Sequence, residues 1–444
     1  MVGNSLSQTR RRIGYGLTTL VAAGVAWAAT PGLPVIWAPR AGAETKARGL
    51  ALFEHEWQPH DPIAGGDGLG PVFNGKSCVA CHFQGGVGGG GNNQHNVVSF
   101  ELLPTADRPK LKGGLVHAFA VSNQFTEQIG TLRSMFPVIP GSVRVEGNCQ
   151  VLTHDFDPIR TESVNSTALF GVGWVDRVSG KTIHQLGLRK AVKNIARELD
   201  GQSEGILPGR PRVLADGRIG KFGWKAQFAS LEEFVAAACA NEIGLGNPKM
   251  EQAKPIGHAY PSVPADLDRK QFRALVAFVD TLPRPVEVTP EDSAGADLAA
   301  RGKVAFAKVG CAACHTPDLG GVEGVYTDFL LHRLDDRRKG GDGYTTTSSP
   351  QVPLPHAFPL PEEWKTPPLW GVADSAPYFH DGASPTLEAA ISRHHGDAEF
   401  VLEAYAHLPE SDKRAVVAFL KTLRAPVDAK PADLMGGGSF ASAR

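Results

Sequence analysis

Apolar positions recur with helical spacing in two matched pairs of segments. ARGLALFEH (Ala47 to His55) and ARGKVAFAK (Ala300 to Lys308) align so that Phe53 falls opposite Phe306. Each Phe has an apolar neighbour about one helical turn away, Leu50 in the first segment and Val309 in the second, the mark of a helix with one buried face. VAFVDTLPRP (Val276 to Pro285) and VAFLKTLRAP (Val417 to Pro426) share Val, Ala, Phe, Thr, Leu and Pro at equivalent places. A charged run precedes each of these, Asp266 to Lys270 and Glu410 to Arg414, and the prolines stop both helices. The pattern predicts a duplicated unit: a leading helix, a long loop region and a closing helix.

A third apolar run, about Ile13 to Ala29, has a different character. Arg10, Arg11 and Arg12 precede it and the small residues Ala41, Gly42 and Ala43 follow it. Basic, apolar and small residues in that order predict a secretory leader over 1–43, cleaved after Ala43, and a folded part outside the cytoplasm, in the periplasm. The alternative is an uncleaved N-terminal anchor, for which the run is short against a span of about 20 residues; no other apolar run is long enough, so no membrane span is expected after cleavage. The last residues, 429–444, read as a flexible tail on composition.

Composition changes the picture in two places. A formal charge of −1 gives no electrostatic reason to expect nucleic acid or an anionic membrane as partner. The 51 glycines and 33 prolines imply long ordered loops around the helices.

Each predicted leading helix runs toward the same pentapeptide. CVACH places Cys78, Cys81 and His82; CAACH places Cys311, Cys314 and His315. Cys-x-x-Cys-His is the c-type haem attachment signature. Two thiols at that spacing can form thioethers to the two vinyl groups of one porphyrin, and the next histidine is then held beneath the ring as an iron ligand. A zinc site would call for a second ligand pair some distance on. The expectation is two covalent haems, with His82 and His315 as proximal ligands. Cys149 and Cys239 remain; they pair in an oxidising compartment or stay as two free thiols.

With a haem turn in each unit, the layout is that of a cytochrome c domain. The expected fold is mainly α, with two cytochrome c-like domains and long loops: 44–285 with a large insertion, then 286–428.

Several segments resemble one family. They are GDGLGPVFNGKSCVACH (Gly66 to His82), GKFGWKAQFASLEEFVAAACANEIGL (Gly220 to Leu245), YTDFLLHRL (Tyr326 to Leu334) and KTPPLWGVADSAPYFHDGASPTLEAAISRHHGDA (Lys365 to Ala398). The chain is similar to the bacterial di-haem oxidoreductases, relatives of the di-haem cytochrome c peroxidases. The stretch from Asn92 to Leu207 is the weakest part of the resemblance. His380 matches a position shared with those peroxidases. Fourteen residues on, where they typically place a Met ligand, this chain has His394, followed by His395, Gly and an acid. The resemblance therefore implies His394 as second iron ligand of the second haem, with His395 as the alternative, and a lower potential than a His/Met haem would have.

The first haem has no comparable second ligand. His55, His60, His95, His117, His154 and His184 all lie in its unit, and an uncommitted iron is what a haem that handles peroxide needs. Glu127, Glu162 and Asp176 are candidate acid–base groups, each with an ordinary surface role as its rival; Arg160 is a candidate for stabilising charge or for a salt bridge. The GGVGGGG run (Gly85 to Gly91) lacks the Lys-Ser/Thr ending of a phosphate loop and reads as a loop at the haem edge. Trp224 reads as a core residue or as a stepping stone between haems.

The function expected is a periplasmic, peroxidase-like di-haem oxidoreductase. One haem relays electrons from a small cytochrome or cupredoxin, and the other activates a small oxidant such as hydrogen peroxide. The alternatives are a di-haem electron carrier without turnover and a di-haem oxygenase or oxidase.

Overall fold

The computed structural model describes residues 41–103, 112–146, 149–201, 209–334, 360 and 362–432. Most of the expected leader and residues 433–444 of the expected tail lie outside these. Among the described residues no helix is long and apolar enough to cross a membrane.

Helix α1 (Ala43–Glu54) is the first leading helix. After a loop-rich stretch come three antiparallel strands, β1 (Val97–Leu102), β2 (Lys112–Val116) and β3 (Ile159–Val164), with β1 in the centre. Ser99 pairs with Glu162 across β1 and β3. Helix α2 (Leu231–Ala238) starts at Ser230, whose hydroxyl accepts from the Glu233 amide, an ordinary N-cap. Helix α3 (Arg269–Asp280) opens with a capping box in which Asp268 and Gln271 satisfy each other's backbone amides.

In the second half, α4 (Ser293–Val309) is capped by Asp292 and ends at Gly310, whose φ of 106° closes the helix and turns the chain into Cys311. A left-handed residue after a helix favours glycine, which has no Cβ to clash. Strands β4 (Leu331–Arg333) and β5 (Glu363–Lys365) pair antiparallel. Short helix α5 (Leu387–Ile391), a helix over Glu399–Ala406 and then α6 (Glu410–Leu420) follow.

The two helix pairs cross in the same way. A Cβ built on Gly49 of α1 would stand 2.0 Å from the Ala274 carbonyl of α3 and 2.6 Å from the Phe278 Cβ. One on Gly302 of α4 would stand 1.8 Å from the Ala415 carbonyl of α6 and 3.0 Å from the Phe419 Cβ. Glycine is disfavoured inside helices, so its presence at both crossings marks a requirement for backbone-to-backbone approach. Phe53 then meets Phe278 edge-on at 5.2 Å, and Phe306 meets Phe419 at 5.4 Å. Gly302→Val forces α4 off α6 and should destabilise the protein by about 3 kcal/mol, the upper range for overpacking. Denaturant unfolding followed by circular dichroism measures this, and an unchanged midpoint would contradict the crossing.

Apolar residues collect in a larger cluster around Phe53, Leu231, Phe272 and Leu275 and a smaller one around Phe306, Val416 and Phe419. Val322, Val325, Phe329 and Leu330 of the second half complete the larger cluster, so the halves share buried surface. Helices frame both haem turns, as expected for a mainly α protein, and the insertion adds the sheet β1 to β3 together with helices Gln128–Met135 and Gly180–Leu199. One boundary differs from the sequence reading. The expected tail from 429 onward begins ordered: the Val87 amide donates to the Lys430 carbonyl at 2.7 Å, and Lys430 pairs with Glu54.

Candidate functional site: two cavities behind one shared wall

Each Cys-x-x-Cys-His forms a tight turn, with the His82 amide donating to the Cys78 carbonyl at 3.1 Å and the His315 amide to Cys311 at 3.0 Å. The turns stand on the helix crossings already described. Phe53 lies 6.4 Å from the His82 ring, and Phe306 lies 6.4 Å from the His315 ring. Both imidazoles are oriented through Nδ1, His82 toward the Gly89 carbonyl at 3.1 Å and His315 toward the Tyr326 carbonyl at 3.2 Å. That arrangement leaves Nε2 of each ring as the nitrogen able to ligate a metal, as a carbonyl held by the other nitrogen does for metal-binding histidines. Burial pushes both imidazoles down to about 4, so each is neutral at physiological pH with a lone pair to donate. Burial also pushes the Cys81 and Cys311 thiols up to about 12.

The glycine run explains how His82 is held. Gly85, Gly86 and Gly88 have positive φ, and a Cβ on Gly89 would stand 1.7 Å from the Gln84 carbonyl. The loop is tightly folded and delivers the Gly89 carbonyl to the imidazole.

Beside His315 lies an apolar cavity of about 310 Å³, bordered by Cys311, Cys314 and His394. His394 Nδ1 donates to the Ala390 carbonyl at 2.9 Å, the same orientation device as in His315. The two ring centroids are 6.3 Å apart. A metal–imidazole bond of about 2.0 Å, with about 1.1 Å from nitrogen to ring centre, gives about 6 Å between centroids for one iron shared in line. His395 instead faces outward to Glu399 at 2.9 Å, exposed.

Beside His82 lies a second cavity of about 150 Å³, bordered by Cys78 and Cys81. Among the described residues no histidine or methionine except His82 lines it. The candidates named from sequence are engaged elsewhere or exposed. His55 pairs with Asp61 at 2.8 Å, His95 bonds Asn92 at 2.9 Å, and His117 bonds the Asn241 carbonyl at 2.9 Å. His60, His154 and His184 are exposed.

The carboxylates separate clearly. Glu127 is exposed and Asp176 accepts from the Leu231 amide at 2.9 Å at the start of α2. Arg160 pairs with Glu101 at 3.5 Å. Glu162, by contrast, projects from β3 into the wall of the smaller cavity, its side chain only 8% exposed. His380 Nε2 lies 3.5 Å from Glu162 Oε1. Sequence reasoning singled out both residues but gave no signal that they meet. Cys149 is exposed and Cys239 is buried against the smaller cavity; both are free thiols.

Trp224, Trp364, Phe234, Gly223 and Asn165 to Thr167 border both cavities and form their shared wall. The Trp224 indole N–H donates to the Asn165 carbonyl at 2.9 Å. Trp364 is the more embedded of the two tryptophans. His380 stacks on one side of it with ring centroids 3.5 Å apart, and the Lys225 ammonium sits 3.7 Å from its ring centre. Trp364 carried no signal in the sequence.

The donor chemistry fits a c-type haem at each site: two thiols and the neutral imidazole that follows them border each cavity, His394 adds a second imidazole opposite His315 in the larger one, and the rest of each wall is mostly apolar. The comparisons with known proteins agree. The family described as "Di-haem oxidoreductase, putative peroxidase" matches residues 165–423, more than half of the chain, taking in the second pentapeptide and starting after the first. The methylamine utilization protein MauG of Methylorubrum extorquens is 32% identical over 143 residues, 30% of this chain and 36% of that protein. The chain thus matches about a third of the length of this curated relative.

Solved structures overlap it only loosely. A MauG-like protein associated with microbial copper homeostasis gives a TM-score of 0.36 at 15% identity, over 88% of this chain and 92% of the other. Hydrazine synthase of Kuenenia stuttgartiensis gives 0.34 at 13% identity, over 89% and 98%. A variant of the diheme peroxidase BthA of Burkholderia thailandensis gives 0.24 at 18% identity, over 35% and 50%. These superpositions fix neither fold nor function. With most of its length matched by one family and both attachment turns in place, the chain belongs to the di-haem oxidoreductase family and carries two c-type haems.

Proposed function

We propose that this protein is a peroxidase-like oxidoreductase with unequal haem sites. The observation that carries this reading is the asymmetry of the cavities: two imidazoles face each other beside Cys311 and Cys314, whereas one imidazole and two carboxylates, Glu162 beside His380 and Glu242 held by the Asn74 amide at 2.9 Å, border the cavity of Cys78 and Cys81. His315 and His394 would hold one iron on both faces, a site suited to electron relay. His82 would hold the other iron on one face, with the second face available to a small oxidant such as hydrogen peroxide. When bound, haem supplies electrons and an iron on which an O–O bond can be cleaved.

The chain's own contribution is proton handling and an aromatic path for the electrons. Glu162 would take the proton from the peroxide oxygen nearer the iron and return it to the far oxygen, which then leaves as water. His380 behind it would orient the carboxylate. Trp224 and Trp364, which border both cavities, would place aromatic rings on the path of the electrons between the sites. The leader supports export to the periplasm, where a small cytochrome or cupredoxin would be the reductant, and residues 44–285 and 286–428 would form the two haem-bearing units.

Ligand binding tests this reading against a pure electron carrier. Carbon monoxide on the reduced protein, and cyanide or peroxide on the oxidised or half-reduced protein, should shift the Soret band of the His82 haem. The haem held by His315 should stay unperturbed. If no added ligand perturbs either haem in any redox state, the protein is a carrier. Attachment is checked separately: Cys311→Ala with Cys314→Ala should leave one covalent haem by pyridine haemochrome assay, and two remaining haems would contradict the assignment.

A further inference from the structure

The larger cavity is lined by few charged side chains, and all but one have a partner. The Lys221 ammonium donates to the Asp176 and Val178 carbonyls. His332 pairs with Asp328 at 3.0 Å, and Asp328 also holds Lys190. Asp397 accepts from the Arg333 amide at 2.7 Å, and His380 faces Glu162. Lys365, at the end of β5, is the exception. It is 6% exposed and borders the cavity. Among the described residues its ammonium makes no direct hydrogen bond or ion pair; the centre of the Phe329 ring lies 5.5 Å away, and the Asp328 carboxylate, already engaged by His332 and Lys190, acts on it only through space.

An ammonium without a direct partner in an apolar wall is unfavourable, because the more distant Asp328 charge offsets only part of its desolvation. Burial holds Lys365 down at about 8. A second unsatisfied donor borders the same cavity, the buried indole N–H of Trp364. Two unmet donors in an otherwise apolar chamber call for an anion that arrives with the chamber's occupant. A haem brings two propionate carboxylates, and nothing else in its periphery carries charge.

We propose that Lys365 is the positioning residue that takes a propionate of the haem attached at Cys311 and Cys314. The inference rests on the haem reading of this cavity and goes beyond it by naming the group that meets the porphyrin's acid edge. In the loaded protein the lysine would be charged and paired, and the carboxylate would be held against rotation. That pairing also places a buried positive charge beside the relay haem, which favours its ferrous form.

The test uses the purified di-haem protein and its Lys365→Met and Lys365→Arg variants. Resonance Raman scattering reports the propionate bending modes directly, and spectroelectrochemical titration of the low-spin haem reports its potential. Lys365→Met should shift a propionate band and lower the midpoint potential of the low-spin haem, with haem content unchanged. Lys365→Arg should restore both. Unchanged bands and potential in Lys365→Met, with two covalent haems and the low-spin signal retained, would overturn the proposal while leaving the haem reading intact. A wild-type protein without haem on Cys311 and Cys314 would overturn both together.

Discussion

Glu162→Gln is expected to reduce peroxide turnover by about 10²–10⁴-fold, the usual contribution of a positioned acid–base group, with both haems still attached. The amide keeps the shape of the carboxylate but cannot accept and return a proton at neutral pH. The site makes this variant informative. Glu162 is inward-facing on a strand paired through β1, so the substitution leaves the sheet register intact, and His380 at 3.5 Å can still meet the amide. Binding of carbon monoxide to the reduced His82 haem should therefore persist while turnover collapses. Measured with a reduced small cytochrome and peroxide, a loss of less than about threefold would move the proton-handling role to another group.

His394→Ala is expected to convert one haem from low-spin to high-spin. Removing the imidazole would leave the iron to His315 alone, with the Ala390 carbonyl and the Phe379 ring, 5.4 Å from His394 in the wild type, beside the vacated space. His394→Met should keep the haem low-spin and raise its potential, because a thioether stabilises ferrous iron better than a second imidazole does. Electronic spectra and a redox titration of both variants check this. If neither variant changes either haem, His394 is not a ligand, and its 6.3 Å distance from His315 has a packing explanation only.

The helical rhythm made part of this architecture readable. Phe53 and Phe306 were predicted as equivalent buried residues from their spacing, and they do occupy equivalent contacts with Phe278 and Phe419. The glycines at the crossings were present in the aligned segments, yet their meaning depends on which helix approaches, a tertiary fact. A glycine repeated at one register inside two helices was the available signal, since an isolated helix gains nothing from it. The haem turns were legible because the chemistry is encoded locally, in five consecutive residues.

The acid–base pair was not legible for the opposite reason. Glu162 and His380 are separated by more than two hundred residues and meet only through a strand and a loop. Glu127 and Asp176 looked equally plausible in the sequence, and only burial and hydrogen bonding separate them from Glu162. Strands β1 to β3 were missed because their region showed no clear alternation. In β1 itself nearly every residue is buried, so the period-two signal of a half-exposed strand is absent. The shared wall escaped notice because Trp364 acquires its role from His380 and Lys225, which come from two other parts of the chain.

The central claim is that the two haems are ligated differently, and electron paramagnetic resonance of the fully oxidised wild-type protein tests it most directly. One low-spin ferric signal is expected from the haem between His315 and His394, together with a high-spin ferric signal from the haem held by His82 alone. Two low-spin ferric signals from the fully oxidised protein, with the one haem left ferric after half-reduction still low-spin and no high-spin species in either state, would contradict it.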